Sequence, residues 1–151
     1  MALNEFPGFL IRVARQKSKA CFEPVATQYR ITPQQYSILQ VTSRHPDIDQ
    51  NELGERLKLD AATLSEMVIR MEQRGLLHRR ADGRFRRLTL TPQASAMLME
   101  VHPEVEKAQR RLLDPLTARE QERLLQLLSK LTGVENRFHT PRRRGAPRSP
   151  R

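Results

Sequence analysis

Five arginines, Arg79, Arg80, Arg84, Arg86 and Arg87, crowd into nine residues in company with one acid, Asp82. Guanidinium groups carry a permanent charge and a fork of donors that matches phosphate oxygens, so this density suits a polyanion. Arg84 falls at a turn, where Asp82, two residues earlier, can hold its guanidinium. Arg86 and Arg87 are neighbours and point to opposite faces of a regular strand, so only one of them can meet a given backbone. Phe85 between them reads as packing. A second polar set lies upstream in Thr63, Ser65, Glu66 and Arg70. Short polar side chains near the start of a helix can reach base edges, and an arginine further along suits a phosphate.

The elements that must carry these side chains are marked in the stretch from Asp49 to Pro92. Leu53 and Leu57 are one helical turn apart and share a face. Leu59 and Asp60 break that helix, and Asp60 is a good N-cap for the next, whose inward stripe is Leu64, Met67, Val68 and Met71. Gly75 supplies the stop. Ala61, Ala62, Thr63, Ser65, Glu66, Ile69, Arg70 and Gln73 are left facing outward. Leu76 to Arg80 and Phe85 to Leu90 then read as two strands around Ala81, Asp82, Gly83 and Arg84, with Leu88 and Leu90 alternating about Thr89. The expected unit is a helix-turn-helix followed by an arginine-rich wing.

These residues carry a specific resemblance. Glu52, Leu53, Leu57, Leu59, Asp60, Thr63, Ser65, Val68, Arg70, Met71, Glu72, Gly75, Leu76, Leu77 and Arg80 follow one spaced pattern. Asp82, Arg84, Arg86, Arg87, Leu88, Leu90 and Thr91 continue it. Together they resemble the winged-helix core of the MarR family of bacterial transcriptional regulators, over roughly residues 5 to 135. The tip departs from the family pattern, with a short Asp82-Gly83-Arg84 approach.

The resemblance implies a mainly α fold with a small β-hairpin wing, in which a winged helix-turn-helix is flanked by N- and C-terminal dimerisation helices. It places a regulator domain at 1–136, with the DNA-reading part at about 47–91, dimerisation helices at about 4–29 and 92–133, and a disordered basic tail at 137–151. It also implies a homodimer on a palindromic double-stranded operator, with Thr63, Ser65, Glu66, Arg70, Arg84, Arg86 and Arg87 contacting DNA and Asp82 supporting the wing. The implied activity is that of a repressor released by a small aromatic acid or its CoA thioester. Arg12, Arg15, Tyr36 and His45 are the residues similar to effector sites: guanidinium for a carboxylate, ring faces for the aromatic body. Symmetry has a physical rationale, since one recognition helix reads only a few base pairs. Alternatives are an oxidant-sensing repressor acting through Cys21, nonspecific DNA binding through the tail, and a winged helix used for protein contacts.

The flanks support this organisation. Residues from about Asn4 to Tyr29 form an apolar stripe from Phe6, Phe9, Leu10, Val13, Ala20, Cys21 and Val25, which Pro24 should kink or break. Thr32, Pro33 and Gln35 spell a capping box for a helix ending near His45 and Pro46. Thr91 and Pro92 start another helix, with a kink expected at Pro103, and Thr117 and Glu120 start the last, where Leu124, Leu125, Leu127, Leu128 and Leu131 exceed what one helix of a small monomer can hide.

Composition bounds the partners. The formal charge is +10, and the six arginines from Arg137 to Arg151 leave 21 basic residues against 17 acidic in the rest of the chain. Such a balance favours nucleic acid through the phosphate charge alone. One cysteine gives no disulfide framework and fits a reducing cytosol; with the DNA binding that the resemblance implies, the expected location is cytoplasmic and nucleoid-associated. No apolar run approaches the ~20 residues of a membrane span. His45, His78, His102 and His139 stand apart, without metal-ligand spacing, and no phosphate loop, nucleophile elbow or carboxylate pair is present, so no metal, cofactor or catalysis is expected.

Overall fold

In the computed structural model, which describes residues 2–134, the chain divides into two units, 1–112 and 113–151. A 3-10 turn at Leu3–Glu5 precedes α1 (Pro7–Tyr29) and α2 (Pro33–Arg44). Then come β1 (Ile48–Asp49), α3 (Gln50–Leu57), α4 (Ala61–Gln73), β2 (Leu77–Asp82) and β3 (Phe85–Leu90), followed by α5 (Pro92–Leu113) and α6 (Ala118–Thr132). This is the mainly α winged helix-turn-helix expected from the sequence. The basic tail at 137–151 lies outside the described residues.

The helix starts follow their caps. Thr32 accepts from the Gln35 amide at 3.1 Å, and the Gln35 side chain takes the Thr32 amide in return. Asp49 caps α3 and Asp60 caps α4. Thr91 caps α5 by accepting from Ala94 N–H, and its hydroxyl donates to the Gly75 carbonyl at 2.7 Å. That double role joins the end of α4 to the start of α5. α4 itself ends with the paired bonds of a Schellman motif, Leu76 N–H to Met71 O and Gly75 N–H to Glu72 O, with Gly75 at a φ of +70° where a β-carbon would be strained.

Two expected kinks do not interrupt their helices. α1 runs on through Pro24 and α5 through Pro103. Each proline removes one helical hydrogen bond, but Phe22 and Val25, like Val101 and Val105, are buried on either side and hold the turns in place. On α1 the Cys21 carbonyl accepts from the Arg111 guanidinium at 3.2 Å. A second difference is β1, two residues long, which pairs antiparallel with β3 to give the order β1-β3-β2.

The first unit has two apolar clusters. One packs Ile38 and Leu39 of α2, Leu53 of α3, Leu64, Val68 and Met71 of α4, Leu77 and Leu88 of the sheet, and Ala94. The other gathers Phe22, Val25, Ile31, Tyr36, Val101 and Val105. Met97 and Leu98 pack against both. Gly54 sits buried within α3, a costly place for glycine that close approach explains. A β-carbon there would stand 3.2 Å from Leu64 Cδ2 and 3.3 Å from the Leu59 carbonyl.

Exposed apolar residues remain in each unit. In the first, Leu3, Phe6, Leu10, Ile11 and Val13 line the start of the chain. In the second, Leu125, Leu127, Leu128 and Leu131 of α6 are exposed, Leu131 at 68%.

Candidate nucleic-acid interface

The outward face of α4 is built as the stripe of buried leucine and methionine demands. Leu64, Val68 and Met71 are at most 1% exposed, which leaves Ala61, Ala62, Glu66, Ile69, Arg70 and Gln73 in solvent and Thr63 and Ser65 half-buried at the edge. At the helix start, Asp60 accepts from the Thr63 amide at 2.8 Å and from its hydroxyl at 2.6 Å. These bonds, the hydroxyl's foremost, hold the Asp60 carboxyl below its ordinary range. Glu66 and Arg70 form an exposed ion pair one turn apart.

The wing sorts its arginines by what already holds them. β2 and β3 are in register from Leu77 opposite Leu90 to Asp82 opposite Phe85, so the turn is Gly83 and Arg84 alone. This is tighter than the sequence suggested, and Gly83 takes the positive φ, +56°, that such a turn demands at its first position. Asp82 was expected to hold Arg84. Instead it holds Arg87, 3.3 Å away, its diagonal neighbour on the facing strand two residues beyond Phe85, while Arg84 sits in the turn itself. Arg79 pairs with Glu72 of α4 at 3.4 Å and Arg80 with Asp47 at 3.6 Å. Arg84 and Arg86 have no carboxylate partner among the described residues. Arg84 and Arg87 both lie over the Phe85 ring, at 5.0 and 4.8 Å from its centroid, and Arg86 turns back onto the Phe85 carbonyl at 3.1 Å.

Asp49, absent from the residues singled out by sequence, ties these pieces together. It is 8% exposed, and its two oxygens take the Asn51 amide at the head of α3 (3.2 Å) and the Arg86 amide on β3 (3.1 Å). Its N-cap position before α3 was the available signal; its bond to a strand 37 residues away was not legible.

A cleft opens against α1, α2 and α5. Ser18, Phe22, Tyr36, Gln40, His102 and Arg110 are among its walls, and it measures about 470 Å³. Beside it a second hollow of about 360 Å³ shares Gln40 and His102 and adds Ser43, Arg44, Leu98 and Met99. Tyr36 is the centre. Its oxygen accepts from Gln40 at 3.1 Å and lies 2.6 Å from His102 Nδ1, in hydrogen-bond contact whose direction follows the imidazole tautomer, and His102 Nε2 is 3.4 Å from Glu106. Burial, above all, raises the Tyr36 pKa; Arg44 opposes this and Glu106 adds to it. The Arg44 guanidinium makes no hydrogen bond or ion pair among the described residues.

Of the four effector residues expected, the structure brings only Tyr36 to this cleft. Arg12 is exposed on α1, 3.5 Å from Gln16 and stacked on Phe9, and Arg15 is likewise exposed. His45 caps α2 beside Arg56. Gln40, four residues after Tyr36, and the run His102, Glu106, Arg110 at helical spacing were the signal for the residues missed.

The MarR family profile matches residues 31–88. Transcriptional regulator HosA of Escherichia coli O127:H6 is 36% identical over 104 residues, covering 67% of this chain and 77% of that protein. The chain belongs to the MarR family. Among solved structures, the transcriptional repressor CouR bound to a 23-mer DNA duplex superposes with a TM-score of 0.80 at 25% identity, over 86% of this chain and 94% of CouR. Bordetella bronchiseptica BpsR, whose DNA binding is regulated by 6-hydroxynicotinic acid, gives 0.82 at 25% identity, over 87% and 97%. Members of the family are transcriptional regulators, and that role holds for this MarR-family chain. No helix among its described residues is long and apolar enough to cross a membrane.

Proposed function

We propose that this protein is a homodimeric, cytoplasmic, nucleoid-associated repressor that binds a palindromic double-stranded operator and leaves it when a small aromatic acid, or the CoA thioester of one, occupies the Tyr36 cleft. The observation that carries the reading is the pairing of an exposed polar face on α4 with a wing whose Arg84 and Arg86 are unclaimed by acids. In this reading Thr63, Ser65 and Glu66 approach base edges, Arg70, Arg84, Arg86 and Arg87 serve the backbone or minor groove, and Asp82 supports the wing through Arg87. Dimer formation is supported by the exposed large apolar residues grouped at the start of the chain and on α6.

The effector reading is carried by the cleft. Tyr36 and His102 lie stacked at 6.3 Å between centroids, and the adjoining hollow that shares Gln40 and His102 adds Leu98 and Met99 as apolar wall and the Arg44 guanidinium as a fork for a carboxylate. Arg12 and Arg15 stand outside this set. An effector acts only by binding the DNA-incompetent form more tightly than the competent one.

The test is a fluorescence-anisotropy titration against DNA from upstream of the protein's own gene and a shuffled duplex of equal composition, across a salt series. Specific regulation requires a preference of about a thousandfold or more for the native duplex, relieved by 6-hydroxynicotinic acid or a related aromatic acid. Equal binding to both duplexes with one steep salt slope would reduce the protein to a reader of charge.

A further inference from the structure

Arg74 closes α4, and its Nη1 donates to the backbone carbonyl of Arg30, 2.7 Å away and 44 positions earlier in the chain. Both ends of this bond are anchored. Arg30 is the left-handed C-cap of α1, at a φ of +55°, and is followed by Ile31, 1% exposed, and by the Thr32 capping box of α2. Its carbonyl is therefore presented from a fixed corner. On the other side, Arg74 is followed at once by the Schellman bonds of Gly75 and Leu76 and by the Gly75 carbonyl that accepts from Thr91.

The bond spans the two apolar clusters. α4 belongs to the first, whereas Ile31 in the α1–α2 corner and Tyr36 just after it on α2 belong to the second. Among the described residues it is the side-chain hydrogen bond that joins α4 directly to that corner. An exposed cation at the end of a recognition helix would ordinarily be assigned to phosphate. Here the residues read as approaching base edges, Thr63, Ser65 and Glu66, lie toward the opposite end, about 12 to 16 Å away along the axis at 1.5 Å per residue, and the guanidinium is already directed at a carbonyl.

We propose that Arg74 is a positioning residue: it sets the angle at which α4 is presented to DNA by tying its last turn to the α1–α2 corner, and it makes no phosphate contact. The proposal rests on the reading of α4 as the helix that enters DNA. A rigid recognition helix matters most where base edges must be met, so the loss of the tie should fall on specific binding.

The experiment compares Arg74→Ala and Arg74→Met with the unaltered full chain, on the upstream and shuffled duplexes across the salt series, with circular dichroism confirming that each variant is folded. Arg74→Met keeps the aliphatic stem, so agreement between the two variants isolates the hydrogen bond. Affinity for the upstream duplex should fall about three- to tenfold. Affinity for the shuffled duplex and the salt slope should stay unchanged. A slope smaller by about one, with both duplexes weakened alike, is the signature of a phosphate contact and overturns the proposal. Unchanged affinity for both duplexes overturns it too. Should the unaltered protein show no preference between the duplexes, the DNA-reading function falls and the positioning role falls with it.

Discussion

The carboxylate of Asp49 holds the Arg86 amide with one oxygen and the Asn51 amide with the other, so a single buried side chain fixes the base of the wing against the head of α3. Removing it strands two donors inside a region 8% exposed at that residue. Asp49→Ala should therefore cost about 1–3 kcal/mol of stability, measured by chemical denaturation. Asp49→Asn, which keeps one acceptor oxygen, should cost less. Equal stability of Asp49→Ala and the unaltered protein would dismiss this role.

The wing arginines should separate by salt dependence. Arg84 and Arg86 are free of acids among the described residues, whereas Arg79 is held by Glu72 and Arg87, half-buried, by Asp82. Alanine at Arg84 or Arg86 should each reduce the slope of log affinity against log salt by about one. Alanine at Arg79 should leave the slope unchanged and act through the fold, and its melting temperature should drop. The reverse assignment in an anisotropy salt series would show that the ion pairs open on DNA.

Tyr36→Phe should leave DNA affinity intact while raising the concentration of 6-hydroxynicotinic acid, or of the aromatic acid that proves active, needed for half release by about tenfold. The phenol organises the walls: without it Gln40 loses an acceptor and His102 Nδ1 loses its hydrogen-bond partner. Arg44→Gln should weaken a carboxylate ligand and spare its amide analogue. Identical release curves for these variants and the unaltered protein would move the effector site elsewhere.

Acid should loosen α4 from its start. Asp60 titrates below its ordinary value of 3.8 because Thr63 donates to the carboxylate. A lowered folded-state pKa gives stability that is present above 3.8 and lost as pH falls through the folded value. Thermal melts between pH 5 and pH 2, as an approximate window, should show Asp60→Asn with a shallower decline than the unaltered protein. Parallel declines would assign the acid sensitivity to other carboxylates.

Much of this fold was legible because caps and stripes are local. Thr32 with Gln35, Asp60 with Thr63 and Thr117 with Glu120 announce helix starts from three residues, and Leu64, Val68 and Met71 announce which face is hidden. What was not legible depends on distant partners. β1 is too short to show a period and exists because Ile48 and Asp49 pair with Leu88 and Arg87. Pro24 reads as a break, but packing of Phe22 and Val25 carries the helix past it. The cleft escaped because Tyr36 meets His102 across 66 residues, while Arg12 and Arg15, suitable in type, turn outward. Residue type indicated the chemistry, and only tertiary placement decided which side chains share it.

Gly54 has a consequence for anyone who wishes to retarget this protein. The seat of α4 is defined by a missing atom on α3, with Leu64 Cδ2 only 3.2 Å from where a β-carbon would stand. The outward residues of α4 can be exchanged for another reading surface without touching that seat, provided Gly54 and Leu64 travel together as an unaltered pair. On the proposed reading of α4, recognition and scaffold are separable at this crossing, and a library confined to Ala61, Ala62, Ser65, Glu66 and Ile69 would vary the reading surface while the helix keeps its place.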